Sequence, residues 1–185
     1  MKTPQVPHGV IDMRLGEEIT TPLGVPRHTN PYEDESLPEG AQDHRFLETL
    51  SHFHGSELPP VRHFCVTPAL GELMLSEGAH YFREFGGNGN GCHWLFDIFV
   101  TEVLPLFKKL PNEALLALNI VVDDGKAVLQ AAGETPEADS ILELPHPKDG
   151  PYVVWHRKIG FTDLCDMHFN LWMFRDGHVI IPSEY

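Results

Sequence analysis

The chain has 185 residues, a length that predicts a single domain with or without an appendage and suffices to bury one hydrophobic core. Its 42% hydrophobic and 22% charged residues are typical of a globular protein, which disfavours a fully disordered or fibrous chain. The 27 Asp and Glu residues outnumber the 13 Lys and Arg and give a formal net charge of −14, which repels phosphate backbones and disfavours direct nucleic-acid binding.

The sequence predicts neither a membrane span nor a disulfide framework. The longest apolar stretches, residues 94–100 and 115–118, are far shorter than the about 18 residues that cross a bilayer, and the N-terminus shows no signal-peptide core. Cys65, Cys92 and Cys165 are odd in number and widely spaced, which agrees with a reducing compartment. We therefore expect a cytoplasmic protein.

Residues 1–40 differ from the rest in their many prolines and in the acidic cluster Glu33, Asp34 and Glu35. Apolar residues occur there singly, without a sustained period, so the segment lacks the means to build a core. We expect a proline-rich extended arm, flexible or laid across the body, followed by one domain over residues 41–185. The acidic cluster is either a solvated loop or an element that docks a partner.

The first helical pattern follows the arm, with Asp43 as its cap and Gly55 as its stop. Its apolar residues recur at spacings of three and four and are Phe46, Leu47, Leu50 and Phe53. Residues 61–67 then predict a strand, and residues 73–75 form a second short apolar stretch. A further helical turn or two is expected over residues 79–85.

The strongest single element is a helix over residues 92–104, apolar around most of its circumference and therefore largely buried. Pro105 either ends this helix or starts a second segment. The glycine- and asparagine-rich run at residues 86–91 precedes it and lacks both the third glycine of a dinucleotide fingerprint and the Lys and Ser or Thr of a phosphate loop. Its expected role is to turn the chain sharply into the helix.

A narrow polar stripe runs down this helix, because His93, Asp97 and Thr101 recur every four residues. Asp97 is expected to cap or bond a neighbouring backbone group, or to bond His93, as the satisfied polar group of a packed helix. The alternative is catalysis, with Asp97 orienting His93 and Cys92 as the nucleophile. Adjacent helical residues point about 100° apart, which opposes that alternative.

After Pro111 the pattern changes to short apolar runs typical of strands, at residues 116–122, 127–131, 141–144, 152–159, 168–174 and 179–181. The sequence Asp-Asp-Gly-Lys at residues 123–126 predicts a tight hairpin turn between the first two runs. The strands follow one another without helical crossovers, which disfavours a doubly wound parallel fold. We expect an α+β fold: an antiparallel sheet of about five or six strands, with two or three helices packed on one face and the extended N-terminal arm.

Four motifs stand out along the chain: ELMLSEG at residues 72–78, WLFD at 94–97, IGFTD at 159–163 and DGHVIIPSEY at 176–185. They look like those of a domain family without an assigned activity that bacterial, plasmid and phage genomes encode. Members of that family carry a TDG after a strand, a glycine pair leading into YWLLDEI, and a closing LLPSEY. The resemblance covers residues 46–185 and implies a fold and a mobile-element setting, but no catalytic residues.

A metal site is a further hypothesis, because 12 histidines are more than a chain of this length usually holds. On an extended segment His52 and His54 share a face and, with His63, supply three ligands for a catalytic zinc ion. Cys165 and His168, three residues apart, form a second candidate group. The chain has no Cys-x-x-Cys and no His-Glu-x-x-His, so surface histidines and buried reduced thiols, without a cofactor, are the alternative.

Aromatic residues crowd the last third of the chain. In a strand, Trp172 and Phe174 face the side opposite to Leu171 and Met173. On an open sheet face they would anchor a protein partner, whereas burial under the N-terminal arm is the alternative. The candidate partner-binding residues are therefore Trp172, Phe174, Glu33, Asp34 and Glu35.

These observations favour a non-enzymatic, acidic protein-binding module whose partner presents a basic surface. The setting implied by the resemblance suggests a phage or plasmid inhibitor of a host defence complex, of the anti-CRISPR kind. Two other functions stay open: a metal-dependent zinc enzyme that uses a His and Cys cluster, and a structural or oligomer-forming domain. Neither a membrane nor a directly bound nucleic acid is expected as a partner.

Overall fold

The computed structural model describes residues 29–34, 36–38, 40–55, 60–63, 71–133 and 152–185. These residues form a seven-stranded mixed sheet with helices packed on one face, which confirms the predicted α+β class. Within the same ranges, no helix has the length and apolar character needed to cross a membrane. Residues 1–28, most of the predicted arm, and the predicted strand at 141–144 lie outside the described residues.

The helical elements are α1 Ala41–Ser51, α2 Glu77–Phe85, α3 His93–Ile98, a π-helical turn Phe99–Val103 and α4 Leu104–Phe107, with 3-10 helices at Pro31–Glu33 and Pro182–Glu184. The strands are β1 Val61–His63, β2 Leu73–Leu75, β3 Leu115–Asp123, β4 Lys126–Gly133, β5 Tyr152–Ile159, β6 Met167–Phe174 and β7 His178–Ile180.

Within the described residues the strand order is β1-β2-β7-β6-β3-β4-β5. All neighbouring pairs are antiparallel except β2 and β7, which pair in parallel, with Met74 opposite His178. For the part of the chain that the structure describes, the expectation of five or six antiparallel strands is therefore corrected to seven strands in a mixed sheet. The difference arises because β2 is only three residues long and finds its parallel partner about 100 residues along the chain.

The central hairpin is present as its turn sequence predicts. Asp123 pairs with Lys126, and the two residues between them, Asp124 and Gly125, have φ of 48° and 67°. Positive φ at both positions is the geometry of a type I′ turn, which matches the twist of the flanking strands. The local sequence is therefore sufficient to set the register of β3 and β4.

Alternation along the strands separates two faces. The side chains of Leu116, Leu118 and Ile120 on β3, like those of Leu171 and Met173 on β6, are fully buried in the cluster that contains the helices. Their neighbours in sequence point to the other face, as period-two geometry requires. We call that second face the outer face.

The helix over residues 93–107 continues through Pro105 instead of ending there. A proline has no N–H to donate, and its ring clashes with the carbonyl four residues earlier. The π-helical turn Phe99–Val103 relieves this clash, because Leu104 N–H bonds the carbonyl of Phe99, five residues back. The expected break at Pro105 is thereby replaced by one wide turn.

The C-terminal residues fasten the sheet to α2. The Glu184 carboxylate accepts hydrogen bonds from Ser76 Oγ, from Gly78 N at 2.9 Å and from Ile181 N at 2.9 Å. Ser76 is the N-cap of α2, and its Oγ accepts from Ala79 N. A carboxylate at a helix N-terminus satisfies free N–H groups and interacts favourably with the helix dipole, so Glu184 has a structural role.

Candidate functional site

A polar cluster fills the junction of β1, α2 and α3, with Arg83 at its centre. The Arg83 side chain is only 2% exposed, and its guanidinium donates to Glu84 Oε1 from Nε at 2.9 Å and from NH2 at 2.6 Å. The NH1 group faces His63 Nδ1 at 3.3 Å. The buried guanidinium therefore holds a carboxylate and an imidazole together.

His63 is fixed between Arg83 and Asp97. Its Nε2 lies 3.0 Å from Asp97 Oδ1. Arginine only donates hydrogen bonds, so Nδ1 must accept and the imidazole proton must reside on Nε2, donated to Asp97. Burial, together with the positive charge of Arg83, lowers the pKa of His63 to about 4.

The outer part of the cluster is half-exposed. Glu84 Oε1 lies 3.6 Å from His80 Nε2 and 3.8 Å from His93 Nε2. Although burial opposes ionisation of Glu84, the charges of Arg83 and His80 hold its pKa below the ordinary value. Burial lowers the pKa of His93, which favours its neutral form. Glu84 is thus an ionised carboxylate with Arg83 as its close partner.

This arrangement holds groups in place and presents no activated nucleophile at Cys92. Both nitrogens of His63 are occupied by protein partners. Cys92 is fully buried, its Sγ donates to the carbonyl of Phe82 at 3.1 Å, and burial raises the pKa of its thiol far above the ordinary value. The proposed pairing of Asp97 with His93 is replaced by the pairing of Asp97 with His63, from a different element.

The five candidate metal ligands lie in different places. His52 and His54 are exposed and line a shallow depression of about 270 Å³ beside Glu77, whereas His63 is buried in the polar cluster. Cys165 is buried, which raises the pKa of its thiol to about 11, and His168 is exposed on β6. In the described part of the chain, no three His, Cys, Asp or Glu side chains are placed to hold a metal ion.

The acidic candidates are partly engaged within the chain. Asp34 accepts from Ser36 N at 3.2 Å and pairs with Arg45 at 2.9 Å, and the hydrogen bonds from Ser36, followed by the Arg45 contact, lower its pKa. Glu33 is exposed, and Glu35 lies outside the described residues. Of the three acidic candidates, Glu33 is thus the one whose side chain the structure shows exposed to solvent.

The end of the predicted arm packs on the body. The Tyr32 hydroxyl donates to Asp43 at 2.8 Å, and Asn30 Nδ2 donates to the carbonyl of Gly89 at 3.3 Å. Asp43 was expected to cap α1, but α1 begins at Ala41 with Gly40 as its N-cap, and the carboxylate binds Tyr32 instead. Residues 29–34 are therefore seated on the helices and the glycine-rich loop.

The outer face carries an aromatic patch formed by Trp172, Phe174 and Tyr185. The Tyr185 ring lies 5.5 Å from that of Trp172 and 6.2 Å from that of Phe174, between ring centroids. Trp172 and Phe174 are half-buried, whereas Tyr185 is 85% exposed. In register, Leu115 lies opposite Phe174. The structure therefore places both predicted aromatic anchors together on the outer face.

The surroundings of the aromatic patch include an exposed acid. Asp176, in the turn after β6, accepts from the backbone N–H of His178 at 3.1 Å and approaches the His178 ring at 2.9 Å. Although burial opposes ionisation of Asp176, the hydrogen bonds from the His178 backbone and side chain together lower its pKa. At neutral pH an ionised carboxylate thus lies in the turn that directly follows Phe174.

Sequence reasoning missed Tyr185 and the cluster around Arg83. Tyr185 belongs to the closing motif, but its contact with Trp172 depends on the turn of the chain after β7. Arg83 lies on the buried side of α2, where a charged side chain interrupts an apolar face. That interruption, like the polar stripe of His93 and Asp97 on the next helix, is a signal that the sequence offers for the cluster.

Comparisons of the chain with protein-family models, with curated proteins and with solved structures found no match.

Proposed function

We propose that this protein is a non-catalytic, acidic protein-binding module and that the aromatic patch of Trp172, Phe174 and Tyr185 is its docking surface. The observation that carries the proposal is the 85% exposure of Tyr185 over two further aromatic rings on the face away from the helices. Large aromatic side chains lose much solvent contact on association and dominate the centres of protein interfaces.

Charge supports a basic partner surface. The formal net charge of −14 attracts a positively charged protein over long range and speeds encounter. In the turn that follows Phe174, the ionised Asp176 side chain is 66% exposed and, besides its contact with the His178 ring, presents its carboxylate to a Lys or Arg of the partner. The aromatic rings would supply the apolar centre of the contact, and Asp176 would form part of its polar rim.

The polar cluster supports a non-catalytic role in a different way. Its buried members, Arg83 and His63, use their donors and acceptors on protein groups. Cys92 is held as a neutral thiol, without the lowered pKa of a nucleophile. No specific contact among the described residues favours the zinc enzyme over the binding module.

The resemblance to a family encoded by phages and plasmids supports a finer proposal. In that setting the module acts in the cytoplasm as an inhibitor that occupies a basic surface of a host defence complex. This part of the proposal depends on analogy of genomic setting and not on the patch itself.

The test is a pull-down from a bacterial lysate with the wild-type chain, Tyr185→Ala and Phe161→Ala. Phe161 is a matched control, because its side chain is also exposed, at 82%. It follows β5, and the last residue of β5 pairs with β4 next to the turn between β3 and β4. Phe174 lies at the opposite end of the sheet. We expect one stoichiometric basic partner with wild type and Phe161→Ala. Added salt should weaken this capture, and Tyr185→Ala should strongly reduce it.

Three results would contradict the proposal. One is equal capture by Tyr185→Ala and wild type, and another is a partner whose binding does not change with salt. The third is an oligomer of the chain, detected by light scattering and dependent on Tyr185, together with no captured partner. That result would identify the patch as a contact between copies of the chain.

A further inference from the structure

Strand β1 lies at one edge of the sheet and has three residues, Val61–His63. Within the described part of the chain it pairs with β2 alone. Such a short edge strand has few ladder hydrogen bonds, so its attachment depends on side-chain contacts. His63 provides the polar contacts to the helices, since it bonds both α2 and α3.

The charged and titratable groups around His63 come from three elements. On β1 itself, Arg62 is exposed. Helix α2 contributes Arg83 and, farther from the imidazole, His80 and Glu84. Helix α3 contributes Asp97 and His93, whose ring centroid lies 6.4 Å from that of His63. An apolar ring, that of Phe96, packs edge-on at 5.8 Å between centroids. Among these neighbours, Arg83 and Asp97 contact the imidazole directly.

We infer that His63 is a proton-sensitive latch that holds β1 against α2 and α3 while neutral and releases it when protonated. In the neutral form Nδ1 accepts from Arg83 and Nε2–H donates to Asp97. A second proton must go to Nδ1, where it faces the Arg83 guanidinium. Two donors then oppose each other and two positive charges meet in a site that is 4% exposed.

Release of β1 would uncover the edge of β2, which then offers unpaired backbone groups to another strand. The latch is therefore a regulatory device and is independent of the aromatic patch. Its direction follows from the lowered pKa of His63: the closed state resists protonation, so the contact is stable above the ordinary histidine pKa and is lost as the pH falls toward about 4.

Hydrogen exchange of the full chain at pH 7.5 and pH 4.5, corrected for intrinsic exchange rates, tests the latch. With an ordinary pKa in the open state, the opening equilibrium of β1 should rise roughly 70-fold between these pH values. The amides of β3 and β6 should keep their protection. Simultaneous loss of protection in β1, β3 and β6 would show global unfolding and overturn the inference.

The matched variants are His63→Gln and His168→Gln. A glutamine amide both donates and accepts but does not titrate, so His63→Gln should remove the pH dependence of β1 exchange. His168 is exposed on β6, and His168→Gln should leave that dependence unchanged. Equal pH dependence in His63→Gln and wild type would overturn the latch.

A measurement on the wild-type chain covers the case in which His63→Gln fails to fold. Nitrogen-15 NMR of the imidazole should show the proton on Nε2 at pH 7 and a titration of His63 well below the ordinary histidine pKa. A proton on Nδ1, or a titration of His63 at the ordinary histidine pKa, would overturn the inference.

Discussion

The polar cluster around Arg83 and the aromatic patch around Tyr185 use their side chains in opposite ways. In the cluster, Arg83 is 2% exposed and its guanidinium bonds both a carboxylate and an imidazole of the same chain. In the patch, Tyr185 is 85% exposed, and its ring contacts the rings of Trp172 and Phe174. The cluster stabilises the fold, whereas the patch has surface left to bury against another molecule.

The largest loss of unfolding free energy should come from truncating a buried side chain on the inner face of β6, the strand that carries Trp172 and Phe174. Leu171 is fully buried on the inner face of β6, and its neighbour Trp172 is half-buried on the outer face. We expect Leu171→Ala to lower the free energy of unfolding by about 4 kcal/mol, through lost burial and a cavity, and Trp172→Ala by about 1 kcal/mol. Chemical denaturation measures both; equal losses would contradict the assignment of the two faces.

Removal of the cluster's central cation should have the next largest effect. Arg83→Ala leaves Glu84 without its close partner and is expected to cost about 3 kcal/mol of unfolding free energy. The control is Arg45→Ala, because Arg45 pairs with Asp34 at the surface, where both side chains are more than a third exposed, and should cost at most about 0.5 kcal/mol. Thermal melts that rank the two variants equally would contradict a structural role for the cluster.

The carboxylate that joins the C-terminal turn to α2 should have a smaller effect. Glu184→Ala removes the acceptor for Ser76, Gly78 and Ile181 and should lower the unfolding free energy by about 2 kcal/mol. Glu184→Gln keeps an acceptor oxygen and should lose about half of that, while exposed Ser183→Ala should be neutral. If denaturation midpoints do not follow this order, Glu184 has another role.

Local chemistry allowed the prediction of some elements. The turn at residues 123–126 and the helix around Phe46 and Leu50 follow from residue types within a few positions of each other. The parallel contact between β2 and β7 does not, because three-residue strands carry almost no periodicity and the partners are far apart in the sequence. The continuation of the helix through Pro105 depends on one π-helical turn, which no residue type in the sequence predicts.

The candidate site shows the same division. Trp172 and Phe174 were predictable, because period-two alternation in β6 puts them on one face. The partner of Asp97 was not, because a helical spacing of four points to His93, whereas tertiary packing brings His63 from 34 residues away. Sequence spacing therefore identified the outer-face residues, and only the assembled fold identified the inner contacts.

The most direct test of the account is the affinity of the captured partner for wild type and Tyr185→Ala, measured by calorimetry together with the thermal midpoint of each chain. Tyr185→Ala should weaken binding about 30-fold, equivalent to about 2 kcal/mol, with an unchanged thermal midpoint because the ring is mostly in solvent. Unchanged affinity in a folded Tyr185→Ala would contradict the role of the outer face as the working surface of this protein.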